Sequence, residues 1–364
     1  MFTAGVIQQQ RSNDPLFVTQ EWFIFKTNTS HQLLYKSVNL DTGVVSDIAT
    51  LTSNSALCVQ TDGKFVFTNS GDWSGTGYIK RQHSYNSGTF TQRLSTHIVG
   101  ATNVQSNMGI TYLPTNPGRL LITGGNGEGL GVFTYQSAPT YSWGTCTFTT
   151  TAADAWIAAR DVRVAAPNTP VIGDTVVTFP NTSSNQHQNS YTISGATFTK
   201  HGGDTSISTY AYGGAGGVCR DTGQIANVAS ASQSVLLHQL SMSTRQISVI
   251  GTSSAMGVNV ACCGWTKGFL IVLHTNGSLR SYSRSGTTLS LITTINFGGS
   301  ATTNGQIMVS PYSRAVYVTA NGSTRIVTVA DNGTMTHVAS TTSMYGSSGA
   351  GPIVAFLPTP LENT

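Results

Sequence analysis

The stretch AVYVTANGSTRIVTVADNGTMTHVAS, residues 315–340, carries two Asn-Gly pairs, Asn321-Gly322 and Asn332-Gly333, set between alternating apolar runs. Asn-Gly in that setting is a strong hairpin signal, because both central residues of a type I′ turn need positive φ, which Asn tolerates and Gly adopts freely. Two such turns predict three antiparallel strands. A sheet that small does not stand alone in water, so it needs cover from the rest of the chain or neighbours of its own kind.

Neighbours of its own kind recur. Gly333-Thr-Met-Thr is echoed at Gly286-Thr-Thr-Leu, Gly195-Ala-Thr-Phe-Thr, Gly144-Thr-Cys-Thr-Phe, Gly88-Thr-Phe-Thr and Gly43-Val-Val-Ser. Going backwards, the separations are 47, 91, 51, 56 and 45 residues. The gap of 91 spans two periods, and SMSTRQISVIGT (241–252) fills the vacancy with a turn that lacks the glycine. Upstream of each marker lies an apolar strand, a turn rich in Asp, Asn, Pro, Gly, Lys or Ser, and a second apolar strand, as in ALCVQTDGKFVFTN (56–69), ACCGWTKGFLIVLHTNG (261–277) and IMVSPYSRAVYVTANG (307–322). A third, alternating strand then leads into the marker strand. Four strands thus recur seven times, at the period of propeller blades.

A four-stranded sheet with two apolar faces cannot bury both alone, and sheets packed face to face around an axis solve this for every member. The expected fold is therefore all-β: a seven-bladed β-propeller of four-stranded antiparallel blades. Two β-sandwiches would also account for short strands with regular turns. PIVAFLPTP (352–360), beyond a Gly/Ser-rich link, repeats the inner-strand pattern of ITYLPT and supplies an eighth inner strand for seven blades. It is expected to close the ring by pairing with the first blade beside residues 16–25. The expected layout is an N-terminal arm (1–14), one propeller (15–358) and a C-terminal tail (359–364). Its blades fall near 15–53, 56–97, 109–150, 161–201, 211–252, 260–295 and 306–341, with the closing strand at 352–358.

Composition agrees with long polar sheet surfaces. Charged residues are 9% of the 364, with three glutamates (Glu21, Glu128, Glu362) and six lysines, so the residues that populate exposed helix faces are scarce. A net charge of +4 without any Lys/Arg run is not the footprint of a nucleic-acid binder. No run approaches the ~18 apolar residues of a membrane span. MFTAGVIQQQRSND has no basic segment followed by an apolar core, so no secretory signal is expected. The five cysteines, Cys58, Cys146, Cys219, Cys262 and Cys263, are scattered without C-x-x-C and are expected to be reduced, buried thiols.

The run 307–340, with its inner strand, Ser-Pro turn, Val-Tyr-Val strand and closing hairpin, resembles a blade of the WD-repeat and lactonase-like propeller group. It lacks the Trp-Asp and Gly-His dipeptides of regular WD repeats. The low charge and the wealth of Thr, Ser, Asn and Gly are also similar to bacteriophage virion proteins, particularly tail and head-appendage components. This second resemblance implies a non-enzymatic virion structural protein, a rigid disc docked on other virion proteins in several copies. The alternatives are a receptor- or glycan-binding propeller of the particle, and a lactonase-like hydrolase.

No residue constellation compels an activity, and no catalytic residue, cofactor or metal is expected. GGNGEGLG (124–131), with Asn126 and Glu128, has the alternating glycines of a phosphate loop but lies between two strands, without the helix N-terminus such a loop uses. GGAGG (213–217) is expected to be a connection where backbones approach closely. GDWSGTGYIKRQHSYNSG (71–88) gathers Trp73, Tyr78, Arg81, His83 and Tyr85, a candidate interaction surface if exposed. The eight histidines show no metal spacing. The lactonase-like resemblance implies carboxylates at the channel mouth, where Asp62, Asp174 and Asp221 lie in inner-strand turns; Asp in a turn ordinarily caps its own backbone.

Overall fold

The computed structural model describes residues 19–27, 32–52, 56–71, 78–98, 110–112, 119–123, 130–136, 141–149, 161–164, 175–179, 186–194, 197–207, 217–219, 222–228, 232–241, 243–299, 306–310, 312–320, 322–344 and 354–364. Among them the regular structure is all strand, arranged as seven antiparallel sheets of four. Blade 1 contains β1 (Gln20–Lys26), β2 (Gln32–Asn39) and β3 (Val45–Thr52). Blade 2 is β4 (Ala56–Thr61), β5 (Phe65–Gly71), β6 (Tyr78–Asn86) and β7 (Thr89–Ile98). Blade 3 is β8 (Ile110–Tyr112), β9 (Arg119–Thr123), β10 (Leu130–Gln136) and β11 (Ser142–Thr149). Blade 4 is β12 (Asp161–Val164), β13 (Thr175–Phe179), β14 (Gln186–Ser194) and β15 (Thr197–Ile207). Blade 5 is β16 (Gly217–Val218), β17 (Gln224–Val228), β18 (Val235–Leu240) and β19 (Ile247–Thr252). Blade 6 is β20 (Val260–Thr266), β21 (Phe269–His274), β22 (Ser278–Ser285) and β23 (Thr288–Asn296). Blade 7 is β24 (Gln306–Val309), β25 (Ala315–Ala320), β26 (Ser323–Val329) and β27 (Met335–Thr342). The last strand, β28 (Val354–Leu357), completes blade 1 in the sheet order β28-β1-β2-β3. Trp22 stands opposite Leu357 and Phe25 opposite Val354, so the two ends of the chain share one blade.

Blade 6 shows how sequence pattern becomes radial position. Five of the six residues of β21, FLIVLH, are buried, as a strand covered on both faces requires, whereas β23, TLSLITTIN, alternates exposed and half-buried positions at the rim. The apolar faces meet between blades. Leu237 and Val235 of blade 5 pack with Trp265 and Leu270 of blade 6, and Ile271 and Leu273 on the opposite face of blade 6 pack with Val316 and Val318 of blade 7. Phe23 and Phe25 of blade 1 join Tyr317 and Ile326 of blade 7, while Ile24 and Tyr35 join Val59 and Val66 of blade 2.

Turn chemistry follows the sequence in part. The markers Gly43, Gly88, Gly286 and Gly333 all have positive φ, and Arg245 (φ 62°) takes that conformation in the glycine-free turn of blade 5. Gly333 is required twice over. Its φ is 83°, and a Cβ there would lie 2.5 Å from Ile292 Cδ1 and 2.8 Å from Phe269 Cδ1 of blade 6. The Asn332-Gly333 turn is nevertheless not type I′. Only Gly333 is left-handed, the loop is closed by Ala330 and Thr334, and Asn332 Oδ1 accepts the Thr334 N–H at 3.0 Å. Paired positive φ occurs instead at Ser87-Gly88 and Lys267-Gly268. Gly144 is a second correction: it lies within β11 rather than in a turn. Asn321 and Gly195 lie outside the described residues.

Residues beyond β28 continue onto blade 2. Leu361 is buried, and its N–H donates to the Tyr35 hydroxyl. Glu362 N–H donates to Gly63 O, Thr364 N–H to Tyr85 O, and Asn363 Oδ1 accepts the Ser87 N–H. This segment therefore bridges the blade it completes and the next one.

The expectation of close backbone approach at GGAGG is met at Gly217, the residue of that stretch that is described. A Cβ on Gly217 would lie 2.7 Å from Gly264 Cα, between the inner strands of blades 5 and 6. Backbone cannot yield as a side-chain tip can. Gly217→Ala is expected to cost ~1–3 kcal/mol of stability through overpacking, read as a lower urea midpoint with an unchanged slope.

Candidate functional site

With so few charges, the described carboxylates are worth following one by one. Asp62 follows Thr61, the last residue of inner strand β4, and shapes the turn into β5. Its Oδ1 accepts the N–H groups of Lys64 (2.9 Å) and Phe65 (2.7 Å), while the Thr61 hydroxyl donates to Phe65 O (2.8 Å). The capping expected of a turn Asp is present. The second oxygen is used differently: Oδ2 accepts the hydroxyl of Tyr135 at 2.7 Å, from β10 of blade 3. Tyr135 is buried against Phe67, with ring centroids 4.6 Å apart. A half-exposed carboxylate and a phenol thus meet between blades 2 and 3, next to the inner strand. The phenol's proton is shared with the carboxylate at the end of inner strand β4. Gly63 of the same turn receives the C-terminal segment, and Lys64 pairs with Glu362 at 3.2 Å on the surface, where such a pair is worth little.

Glu21 is the residue that sequence reasoning missed. It is the second residue of β1, is fully buried, and points into blade 7. The hydroxyl of Ser313 donates to Oε2 at 2.6 Å, that of Tyr317 to the same oxygen at 3.4 Å, and that of Ser310 to Oε1. Burial pushes its carboxyl up to about 7, against the opposing pull of the three hydroxyls. Beside it, burial and the Glu21 charge push the Tyr317 phenol well above its ordinary value. Two sequence signals marked this site: a lone glutamate inside the apolar run QEWFIFK, and two serines in the turn SPYS. A third carboxylate, exposed Asp331, bridges blades 6 and 7 by accepting from Lys267 Nζ (2.7 Å) and Arg314 Nη2 (3.1 Å), contacts that hold it below the usual range.

Among the described residues of 71–88, His83 and Tyr85 are buried rather than exposed. Residues 78–86 are β6, the third strand of blade 2, and a strand inside a blade is covered on its faces. His83 is 2% exposed and Tyr85 8%; Tyr85 packs edge-on against Tyr35 at 5.4 Å. Arg81 is half-buried. Tyr78 opens the strand, whereas Trp73, Asn126, Glu128, Asp174 and Asp221 lie outside the described residues. The histidines divide likewise. His337 is at the rim, but His83, His238 and His274 are buried. His274 Nδ1–H donates to Val258 O at 3.1 Å, leaving Nε2 to accept the Tyr282 hydroxyl at 3.2 Å. Burial, reinforced by Arg81 for His83 and by Arg280 for His274, holds both imidazoles down to about 4. Among the described residues, no three of His, Cys, Asp and Glu converge as a metal site would need.

No family model matches the chain, and no curated protein sequence does either. Solved structures do match. A candidate 6-phosphogluconolactonase from Bacteroides uniformis superposes with a TM-score of 0.66 at 10% identity, over 93% of this chain and 100% of its own. One from Bacteroides fragilis gives 0.64 at 12%, over 93% and 98%. The periplasmic gluconolactonase of Pseudomonas aeruginosa gives 0.63 at 11%, over 93% and 99%. The fold shared with these proteins is the β-propeller. At these identities the likeness is one of fold. It corrects the expectation of a non-enzymatic virion structural protein: these three propellers, matched along almost their whole length, carry lactonase names. Low charge and abundant hydroxyls and amides suit any protein with long solvated sheet edges, so composition did not identify a particle.

His83 and His274 set a pH dependence. Each is near 6.5 unfolded and about 4 folded, so the stability they allow is complete above pH 6.5 and is lost as pH falls through about 4. His274→Phe is expected to recover about 1–3 kcal/mol of the acid loss at pH 4 relative to the parent, measured as the difference in urea midpoints between pH 7 and pH 4.

Proposed function

We propose that the chain is a lactonase-like hydrolase that opens a sugar lactone with water. The observation that carries this is the match in fold over 93% of the chain to proteins named for that chemistry. The Asp62–Tyr135 pair supports it, since the pair sets an anionic oxygen and a phenolic proton side by side at the end of an inner strand.

In the reaction, a water oxygen bonds to the acyl carbon while the ring C–O bond breaks. The water's proton is taken up by a carboxylate, and the departing alkoxide is reprotonated. Asp62 accepts the water's proton in this scheme, Tyr135 gives its own to the leaving oxygen, and the proton on Asp62 then returns to the Tyr135 oxygen along their hydrogen bond. Asp174 and Asp221, which the sequence pattern assigns to corresponding inner-strand turns, are the other carboxylates to substitute.

The purified protein is expected to hydrolyse glucono-δ-lactone above the spontaneous rate in a pH-stat. Asp62→Asn should lower kcat by roughly 100-fold or more, and Tyr135→Phe should also reduce it, as removal of a general acid or base does. Hydrolysis no faster than buffer would overturn the activity. A fully active Asp62→Asn variant would remove Asp62 from the chemistry and leave Asp174 and Asp221.

A further inference from the structure

The seam between blades 7 and 1 is where the ring is completed, and it holds a fully buried carboxyl group, that of Glu21. We propose that this seam is a proton-controlled latch, in which the neutral Glu21 side chain holds the first and last blades together and its ionised form loosens them.

The geometry supplies the parts. Glu21 leaves β1 and enters the turn between β24 and β25 of blade 7, nearly three hundred residues away along the chain. Its polar partners there are all uncharged hydroxyls, those of Ser310, Ser313 and Tyr317. The serines are themselves fixed by the turn: Ser310 Oγ accepts the N–H groups of Tyr312 (3.1 Å) and Ser313 (3.2 Å), and Ser313 Oγ accepts that of Ala315 (3.0 Å). Around them lie Phe23, Phe356 and Tyr317, with centroids 4.9 Å apart for Phe23–Tyr317 and 5.0 Å for Tyr317–Phe356.

Among the described residues no cation acts on the carboxyl, buried Lys26 at the other end of β1 included. Lys36 of β2 is bound to Asp47, and Arg314 of the turn to Asp331. Arg325 of β26 lies over Phe297 of blade 6, and His337 of β27 stacks edge-on against the same ring. Tyr317 is the titratable group that faces it, and it is neutral. A carboxylate formed here would be a buried charge without a counter-charge, which is strongly unfavourable. Separating the two blades exposes it to water and relieves that cost.

The sign is fixed by the carboxyl being near 4.5 when exposed and about 7 in the seam. The latch is fully effective below pH 4.5 and is lost as pH rises through about 7. His83 and His274 act in the opposite sense, so a global melting curve does not isolate the latch. Local amide hydrogen exchange at Phe23, Phe25, Ala355 and Phe356 does, once intrinsic exchange rates are divided out.

Linkage predicts that the seam-opening constant rises on the order of 50-fold between pH 5 and pH 9 in the parent, while Glu21→Gln, which keeps the shape and cannot ionise, shows a flat profile. Should Glu21→Gln not fold, Ser313→Ala tests the same point: it removes a hydroxyl that favours the carboxylate, so the transition must move above about pH 7. A parent seam whose corrected exchange is flat with pH, a Glu21→Gln profile as steep as the parent's, or an unmoved midpoint in Ser313→Ala would overturn the latch.

Discussion

A four-stranded blade of this chain is apolar on both faces, and one neighbour covers only one of them. Each blade therefore depends on two others, and the only arrangement that leaves no face bare is a closed circuit. Trp265 and Leu270 show one side of this dependence, Ile271 and Leu273 the other: consecutive residues of β21 serve blades 5 and 7 in alternation. Close packing at the inner strands follows from the same demand. Blades converge toward the axis, and where β16 and β20 meet, Gly217 and Gly264 leave no room for a methyl group. Polar groups at the blade junctions are then forced to find partners across blades, as Asp62 does with Tyr135 and Asp331 with Lys267.

The architecture was legible because its repeat is written in physical necessities. A marker glycine such as Gly333 must be left-handed and must also let the preceding blade approach, so it recurs even where the rest of the blade drifts. Where either demand is met by another residue the mark is lost, as with Arg245 in blade 5. Gly144 shows the converse error: a glycine at the right spacing, but inside a strand, counts as a marker only to a reader without coordinates. The closing strand was legible because VAFL has the continuous apolar character of a strand covered on both sides. The exact turn types were not, since Asn332-Gly333 is compatible with more than one loop length.

The chemistry was much less legible. A turn Asp looks the same in sequence whether it caps backbone only or also holds a phenol from another blade, and the Asp62–Tyr135 contact joins residues seventy-three positions apart. Glu21 was passed over for a related reason, because its partners lie at the far end of the chain. The aromatic cluster at 78–86 misled in the opposite direction. Tyr, Arg and His close together read as a surface, but β6 turns His83 and Tyr85 onto a face that another blade covers. Composition was the weakest guide to role, since it reports how sheet edges meet water and not what the ring does.

The shared first blade also has a consequence in time. During synthesis β1, β2 and β3 emerge early, but the strand that covers the free edge of β1 is β28. At ordinary elongation rates the interval is on the order of half a minute. Throughout it, Phe23, Ile24 and Phe25 sit on an unpaired edge, the kind of surface that recruits a strand from another molecule. Folding of this ring is therefore a race between its own closing strand and any neighbouring nascent chain, and the residues that decide it belong to β1 and β28.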